Sequence, residues 1–197
     1  MLAIRELRVP LSSSAPRREI HHRIIDMKAY ARDDGLYDVE AHLVDRKQFD
    51  FPRVASPTPL PAGEPLHDLW VRLTVDGQFV VRDIEAVSDV TPYDVCKKAE
   101  STLRVLIGER IASGWSLKVK QRLGRSASCT HLMEMLLPMA TTALQGVWGL
   151  QKMTDHSMSP EEAATKIDSC YAYAAHRDVV MKFWPQYYRP KQAVSSK

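Results

Sequence analysis

The chain has 197 residues, 45% of them apolar and 26% charged, a globular composition long enough for one core and a helical appendage. Twenty-seven basic residues oppose twenty-four acidic ones for a net +3, and they are interleaved rather than gathered into a stripe, which excludes a phosphate-tracking nucleic-acid surface. The longest apolar run, near Met133 to Leu150, is broken by Glu134, Gln145 and two threonines, which excludes a bilayer span and leaves no membrane partner to expect.

Met1 to Pro16 holds Pro10, a serine run and Pro16, so an arm with little structure of its own is predicted over residues 1–16. Arginines and Glu6 interrupt its start, which does not read as a secretion signal, and a cytoplasmic protein is expected. From Glu19 to Tyr30 the pair Ile24-Ile25 sits among polar residues, and the Asp33-Asp34-Gly35 turn returns the chain into a strand from Leu36 to Arg46, which predicts a hairpin. In that strand Asp38, Glu40 and His42 share one face, while Tyr37, Val39, Ala41 and Leu43 share the other.

Lys47 to Pro65 carries five prolines, which predicts a long loop serving as a lid or an inter-subunit strap. Asp76-Gly77 then joins two alternating arms, His67 to Asp76 and Gln78 to Asp89, in a second hairpin. In the leading arm Leu69, Val71, Leu73 and Val75 oppose Trp70, Arg72 and Thr74. In the trailing arm Val80, Ile84 and Ala86 oppose Phe79, Val81, Asp83, Glu85 and Val87.

Helices follow. Thr91-Pro92 is read as a cap and first turn, with Val95, Ala99, Leu103 and Leu106 at helical spacing. Trp115 to Leu123 is a short amphipathic helix stopped by Gly124, and Ser128 or Thr130 caps a long apolar helix from His131 towards Leu150, kinked at Pro138. Ser159-Pro160-Glu161-Glu162 opens a last helix through Ala163, Ile167, Cys170 and Ala174. The predicted class is α+β: an antiparallel sheet of at least four strands in two hairpins, packed against C-terminal helices. Residues 17–150 form the core domain and 151–197 a helical extension.

Among the seven histidines, His42 stands on the acid-lined strand face, His67 opens the third strand, and His131 lies in the first turn of the long helix. There the positive end of the dipole favours a neutral imidazole, suited to a base or a ligand. A metal centre from Glu40, His42, His67 and His131 suits zinc or iron chemically. No HxH, HxxxH or HExxH spacing occurs, so no metal site is assigned and no cofactor is expected. Cys96, Cys129 and Cys170 are widely spaced without a CxxC pair, against a disulfide framework. Cys129 with His131 as its base is a further pair, although two residues apart on a helix they point to different sides. Arg72 can hold a carboxylate or phenolate, or else pair across strands with Asp83 or Glu85. Trp70, Tyr30, Tyr37 and Tyr93 supply aromatic walls. The glycine-rich dinucleotide and phosphate loops are missing.

The segments RREIHHR, RDDGLYDVEAHLVDRK, HDLWVRL, PYDVC and SCTHL, in this order over about Arg17 to Val147, resemble the bacterial family called domain of unknown function 2889. That family usually has tryptophan at Tyr37 and glycine at Ala41 and at Ser128, and the last departure bears on how closely a ligand approaches the helix start. Its name implies no activity.

Such chains are similar to proteins of bacterial catabolism of lignin-derived aromatic dimers, in particular to phenylcoumaran γ-formaldehyde lyase. The resemblance implies a cofactor-independent carbon–carbon lyase that releases formaldehyde by acid–base chemistry. Under it His42 or His131 is the base and Tyr93 or His67 the acid. Arg72 steadies a phenolate, and Glu40 or Asp83 orients its basic neighbour. All of these groups are expected to converge on one enclosed chamber, and a homo-oligomer on a small aromatic substrate is expected. The alternatives are a non-catalytic small-ligand-binding or assembly protein, or a metal-dependent hydrolase.

Overall fold

The computed structural model describes residues 11–12, 14–151 and 159–191. Most of the expected N-terminal arm, residues 1–10 and 13, lies outside them. The fold is α+β. Four strands, β1 (His21–Ala31), β2 (Tyr37–Lys47), β3 (Pro65–Val75) and β4 (Val81–Val90), form one antiparallel sheet in sequence order. The first hairpin turns through Gly35 at φ 82°, with Arg32 N–H donating to Leu36 O at 2.9 Å and Gly35 N–H to Arg32 O at 3.2 Å. Glycine takes this left-handed backbone without a Cβ clash.

The second hairpin departs from the expected tight Asp-Gly turn. Asp76 O accepts from Phe79 N–H at 2.9 Å, and the left-handed residue is Phe79 at φ 62°. A bulky residue is strained there. Phe79 is nevertheless buried, its ring edge-on to Trp148 at 5.6 Å between centroids, so its packing offsets the local cost. The register shifts between Thr74 and Val75. This bulge puts Val81 into the core with Ile84, correcting the strict alternation that grouped Val81 with Asp83 and Glu85.

One face of the sheet is apolar and covered. Val39, Ala41 and Leu43 of β2, Leu69, Val71, Leu73 and Val75 of β3, and Val81 and Ile84 of β4 join one core. Over it lies α2 (Thr130–Gln151), which contributes Leu132, Met135, Leu136, Met139, Ala140, Ala143 and Val147 and packs on β1, β2 and β3. A shorter helix, α1 (Trp115–Leu123), packs on α2, and the Trp115 indole donates to Leu136 O at 3.1 Å.

The segment predicted as an α-helix after Thr91-Pro92 is a long 3-10 run, Asp94–Leu106, against β4. Leu103 and Leu106 are buried three residues apart, the repeat of a 3-10 turn, while Val95 is exposed. Thr91 is not its cap, because the flanking residue is Tyr93 with no side-chain cap bond. Ser128 does not cap α2 either: its hydroxyl pairs with Thr102 at 2.7 Å.

The proline-rich loop closes on itself. Phe51 and Leu60 exchange both backbone bonds at 2.8 Å, and the Arg53 guanidinium binds Thr58 and Ser56. Beyond the core, α3 (Pro160–Lys166) starts where expected, with a capping box between Ser159 and Glu162. It ends sooner than predicted: Ile167 is extended and Asp168 left-handed, so Cys170 and Ala174 fall outside it. A last short helix, α4 (Asp178–Phe183), follows. Among the described residues no helix is long and apolar enough to cross a membrane.

Candidate functional site

The groups expected in one chamber lie on opposite faces of the sheet. On the uncovered face, strand alternation places Glu40 and His42 of β2 beside Arg72 and Trp70 of β3, in register as Glu40 with Arg72 and His42 with Trp70. The His42 and Trp70 rings stack at 3.7 Å and 7°, and His42 Nε2 meets Asp68 Oδ1 at 2.7 Å. Arg72 donates to Glu40 and to Glu85, each at 2.9 Å. Glu40, Trp70, Arg72 and Glu85 rim a groove of about 280 Å³, completed by Val71 and Val87. That is just under the usual size of a small-molecule pocket.

Three expected site residues stand apart. Asp83 does not pair with Arg72: it stands opposite Thr74, with Glu85 opposite Arg72, and its carboxylate accepts from Arg104 at 3.2 Å. Tyr37 is half-buried against the core at the start of β2, and Tyr93 is exposed on the link to the 3-10 run. The expectation of one chamber is therefore corrected: side-chain alternation sends Glu40, His42, Trp70 and Arg72 away from the helices, and His67 towards them.

The covered face carries a different cluster, at the end of the sheet beneath the first turn of α2. At its centre is Asp45, in phase with Val39, Ala41 and Leu43 and only 1% exposed. Directly opposite on β1, Arg23 binds it with two parallel bonds, Nε to Oδ1 at 2.7 Å and Nη2 to Oδ2 at 2.8 Å. Burial works to raise the Asp45 pKa, and the Arg23 guanidinium outweighs it, holding the carboxyl below the usual carboxylate range. Arg23 also reaches Glu134 of α2 at 3.7 Å.

Three imidazoles surround this carboxylate. His21 Nε2 lies 3.4 Å from Oδ1, while His67 Nδ1 and His131 Nε2 lie 3.2 and 3.7 Å from Oδ2. The His67 and His131 rings are 4.0 Å apart. Burial, and then the neighbouring His131, push the His67 pKa down to about 4. His131 is set at both ends, since its Nδ1 lies 3.9 Å from the Cys129 sulfur. Burial pushes the Cys129 thiol up, but the His131 contact and backbone N–H groups bring it below its ordinary value.

His67 Nδ1 is buried and close to Asp45 Oδ2, yet unaligned with it, and forms no hydrogen bond. An unmet buried polar atom ordinarily costs about 1–3 kcal/mol, so this one calls for an explanation. Asp45, His67 and His131 each offer one ligand atom, all within 4.8 Å of one another.

Sequence reasoning singled out His67 and His131 but missed Asp45, Arg23 and His21. The signal available was a carboxylate in phase with the apolar side chains of β2, where an unpaired charge is not tolerated.

Neither the curated proteins nor the solved structures gave a match. A family model does match, over residues 21–145, and this span contains all four strands and α2 as far as Gln145. It includes every residue of the Asp45 cluster, and the chain belongs to the family described as Protein of unknown function (DUF2889).

Proposed function

We propose that this chain is a lyase of small-aromatic catabolism whose reaction centre is the Asp45 cluster. The substrate is a lignin-derived aromatic dimer with a hydroxymethyl side chain, as for a phenylcoumaran γ-formaldehyde lyase. The observation that carries this reading is a nearly inaccessible carboxylate encircled by His21, His67, His131 and Arg23. Such a constellation fixes imidazoles in orientation and lets protons enter and leave a site without a nucleotide or redox cofactor.

In the reaction the hydroxyl proton passes to the centre, the carbon–carbon bond to the hydroxymethyl carbon breaks, and formaldehyde leaves. The electron pair released forms a carbon–carbon double bond as the neighbouring carbon–oxygen bond opens, and the departing phenolate is protonated. Atoms and electrons balance without an oxidant. His131 and His21 keep about 25% and 36% of their side-chain surface in solvent, so they are the imidazoles a substrate meets, and Asp45 positions them. Self-association of the chain, part of the same reading, has its natural seat at β1, the sheet edge next to the cluster.

A second reading rests on the opposite face, where the stacked His42–Trp70 pair and Arg72 fit an aromatic anion bound without turnover. One experiment separates the two. The purified chain is incubated with phenolic dimers, formaldehyde is assayed, and products are followed by mass spectrometry for the wild type, His131→Ala and His42→Ala. The lyase reading expects release that His131→Ala abolishes and His42→Ala leaves within a few-fold. Saturable binding without product, lost in His42→Ala, supports the second reading. Release that survives His131→Ala in a folded protein removes the Asp45 cluster from the chemistry.

A further inference from the structure

We infer that Asp45, His67 and His131 form a binding site for one divalent transition-metal ion, zinc being the natural candidate. The inference takes from the proposed function only the location of the centre, and it is tested without substrate.

The donor set is the first ground. Two imidazole nitrogens and one carboxylate oxygen are the ligands of catalytic zinc sites and of the facial triads that hold iron(II), both of which leave positions open for a substrate oxygen. The spacing is the second. His67 Nδ1 and His131 Nε2 lie 3.2 and 3.7 Å from the same oxygen of Asp45, and bonds of about 2 Å to a shared ion hold neighbouring ligand atoms at such separations.

The alignment of His67 is the third ground. Its Nδ1 is shut away from water, stands within reach of Asp45 Oδ2, and still makes no hydrogen bond. Two atoms brought together without pointing at each other are what a common third partner requires. The surroundings agree with it. Arg23 occupies one lone pair on each Asp45 oxygen, and a carboxylate oxygen has a second for a metal. Glu134 lies 3.7 Å from Arg23, so with neutral imidazole ligands the two carboxylates outweigh the guanidinium by one negative charge. His131 Nδ1 has the Cys129 sulfur as an outer neighbour at 3.9 Å, and a partner at the far nitrogen fixes the ring of a metal-ligating histidine. With His131 committed to the ion, the exposed His21 on the other Asp45 oxygen is the imidazole left to take a substrate proton.

The full-length chain is stripped with a chelator, its fold is checked by circular dichroism, and zinc sulfate is titrated by calorimetry. Cobalt(II) chloride serves as a spectroscopic probe. One ion per chain is expected, with tetrahedral cobalt bands, about tenfold or more weaker in His131→Gln and in His67→Gln. His42→Gln on the far face and His22→Gln on the exposed strand leave the affinity unchanged. Should Asp45→Asn fail to fold, the two histidine variants still decide the matter. A folded chain that takes up neither ion saturably overturns the inference, as does an affinity that His131→Gln leaves alone. Loss of binding in His22→Gln instead assigns the ion to the surface and overturns it equally. Metal bound without formaldehyde release defeats only the lyase reading, and formaldehyde released by a chain that binds no metal defeats only this one.

Discussion

Arg23 and Asp45 face each other across β1 and β2 and share two parallel bonds of 2.7 and 2.8 Å, the guanidinium one-third exposed and the carboxylate almost wholly buried. The asymmetry decides which partner is indispensable. Removing Arg23 leaves a buried charge with only imidazoles beside it. Breaking a fully buried pair in this way costs about 3–5 kcal/mol, and solvent at the Arg23 end brings the expected loss for Arg23→Met to roughly 3 kcal/mol. Urea unfolding measures it, and a loss below about 0.5 kcal/mol, the level of an ordinary surface change, contradicts the assignment of Asp45 as a charged, paired group.

Close packing of α2 on the sheet edge gives a second expectation. A Cβ at Gly146 stands 2.8 Å from the Ala29 Cβ of β1. In a free helix Gly→Ala gains about 1 kcal/mol, but overpacking costs about 1–3 kcal/mol, so Gly146→Ala is expected to lower the melting temperature. In an Ala29→Gly background the same substitution is expected to raise it, and an identical effect in both backgrounds denies the contact.

Much of this architecture was readable before any coordinates. Period-two alternation announced all four strands and their pairing within each of two hairpins, because each hairpin is local and its turn residues carry their own signal, as Asp33-Asp34-Gly35 does; the pairing of β2 with β3 came only with the fold. What alternation does not supply is the count across an irregularity. The bulge at Thr74 and Val75 and the left-handed Phe79 move Val81 into the core, and nothing in the local pattern marks them, since the strain at Phe79 is offset by a residue nearly seventy positions away, Trp148. The choice between the two faces was not legible for a related reason. A run of polar side chains on β2 drew attention to Glu40 and His42, whereas the proposed centre is built around the one acid on the apolar side of that strand, Asp45. Its partners come from β1, β3 and α2, and only the fold brings such distant segments together.

Acid should weaken the second hairpin turn. Burial raises the Asp76 pKa, but the backbone N–H groups of Val80 and Gln78 and the Arg82 guanidinium prevail and hold it below the usual carboxylate range. A carboxyl lowered in the folded state contributes stability that is complete above its unfolded pKa and vanishes as the pH falls through its folded one. Asp76→Asn is therefore expected to cost about 1 kcal/mol at neutral pH, with the gap from wild type closing as unfolding is repeated between about pH 5 and pH 2. A gap that widens on acidification gives the opposite sign and refutes the role.

The two faces of the sheet should be energetically independent. His67 and His131 are ring neighbours at 4.0 Å and both lie against Asp45 Oδ2, whereas His42 binds Asp68 and Trp70 on the other side and shares no partner with them. Substitutions without a common partner add within about 0.3–0.5 kcal/mol, and those in one network couple by about 0.5–3 kcal/mol. A double-mutant cycle of His42→Ala with His131→Ala is thus expected to be additive in unfolding free energy, and one of His67→Ala with His131→Ala is not. Coupling in the first cycle equal to that in the second would join the two faces into one unit, and would return Glu40, His42 and Arg72 to the same centre as His131.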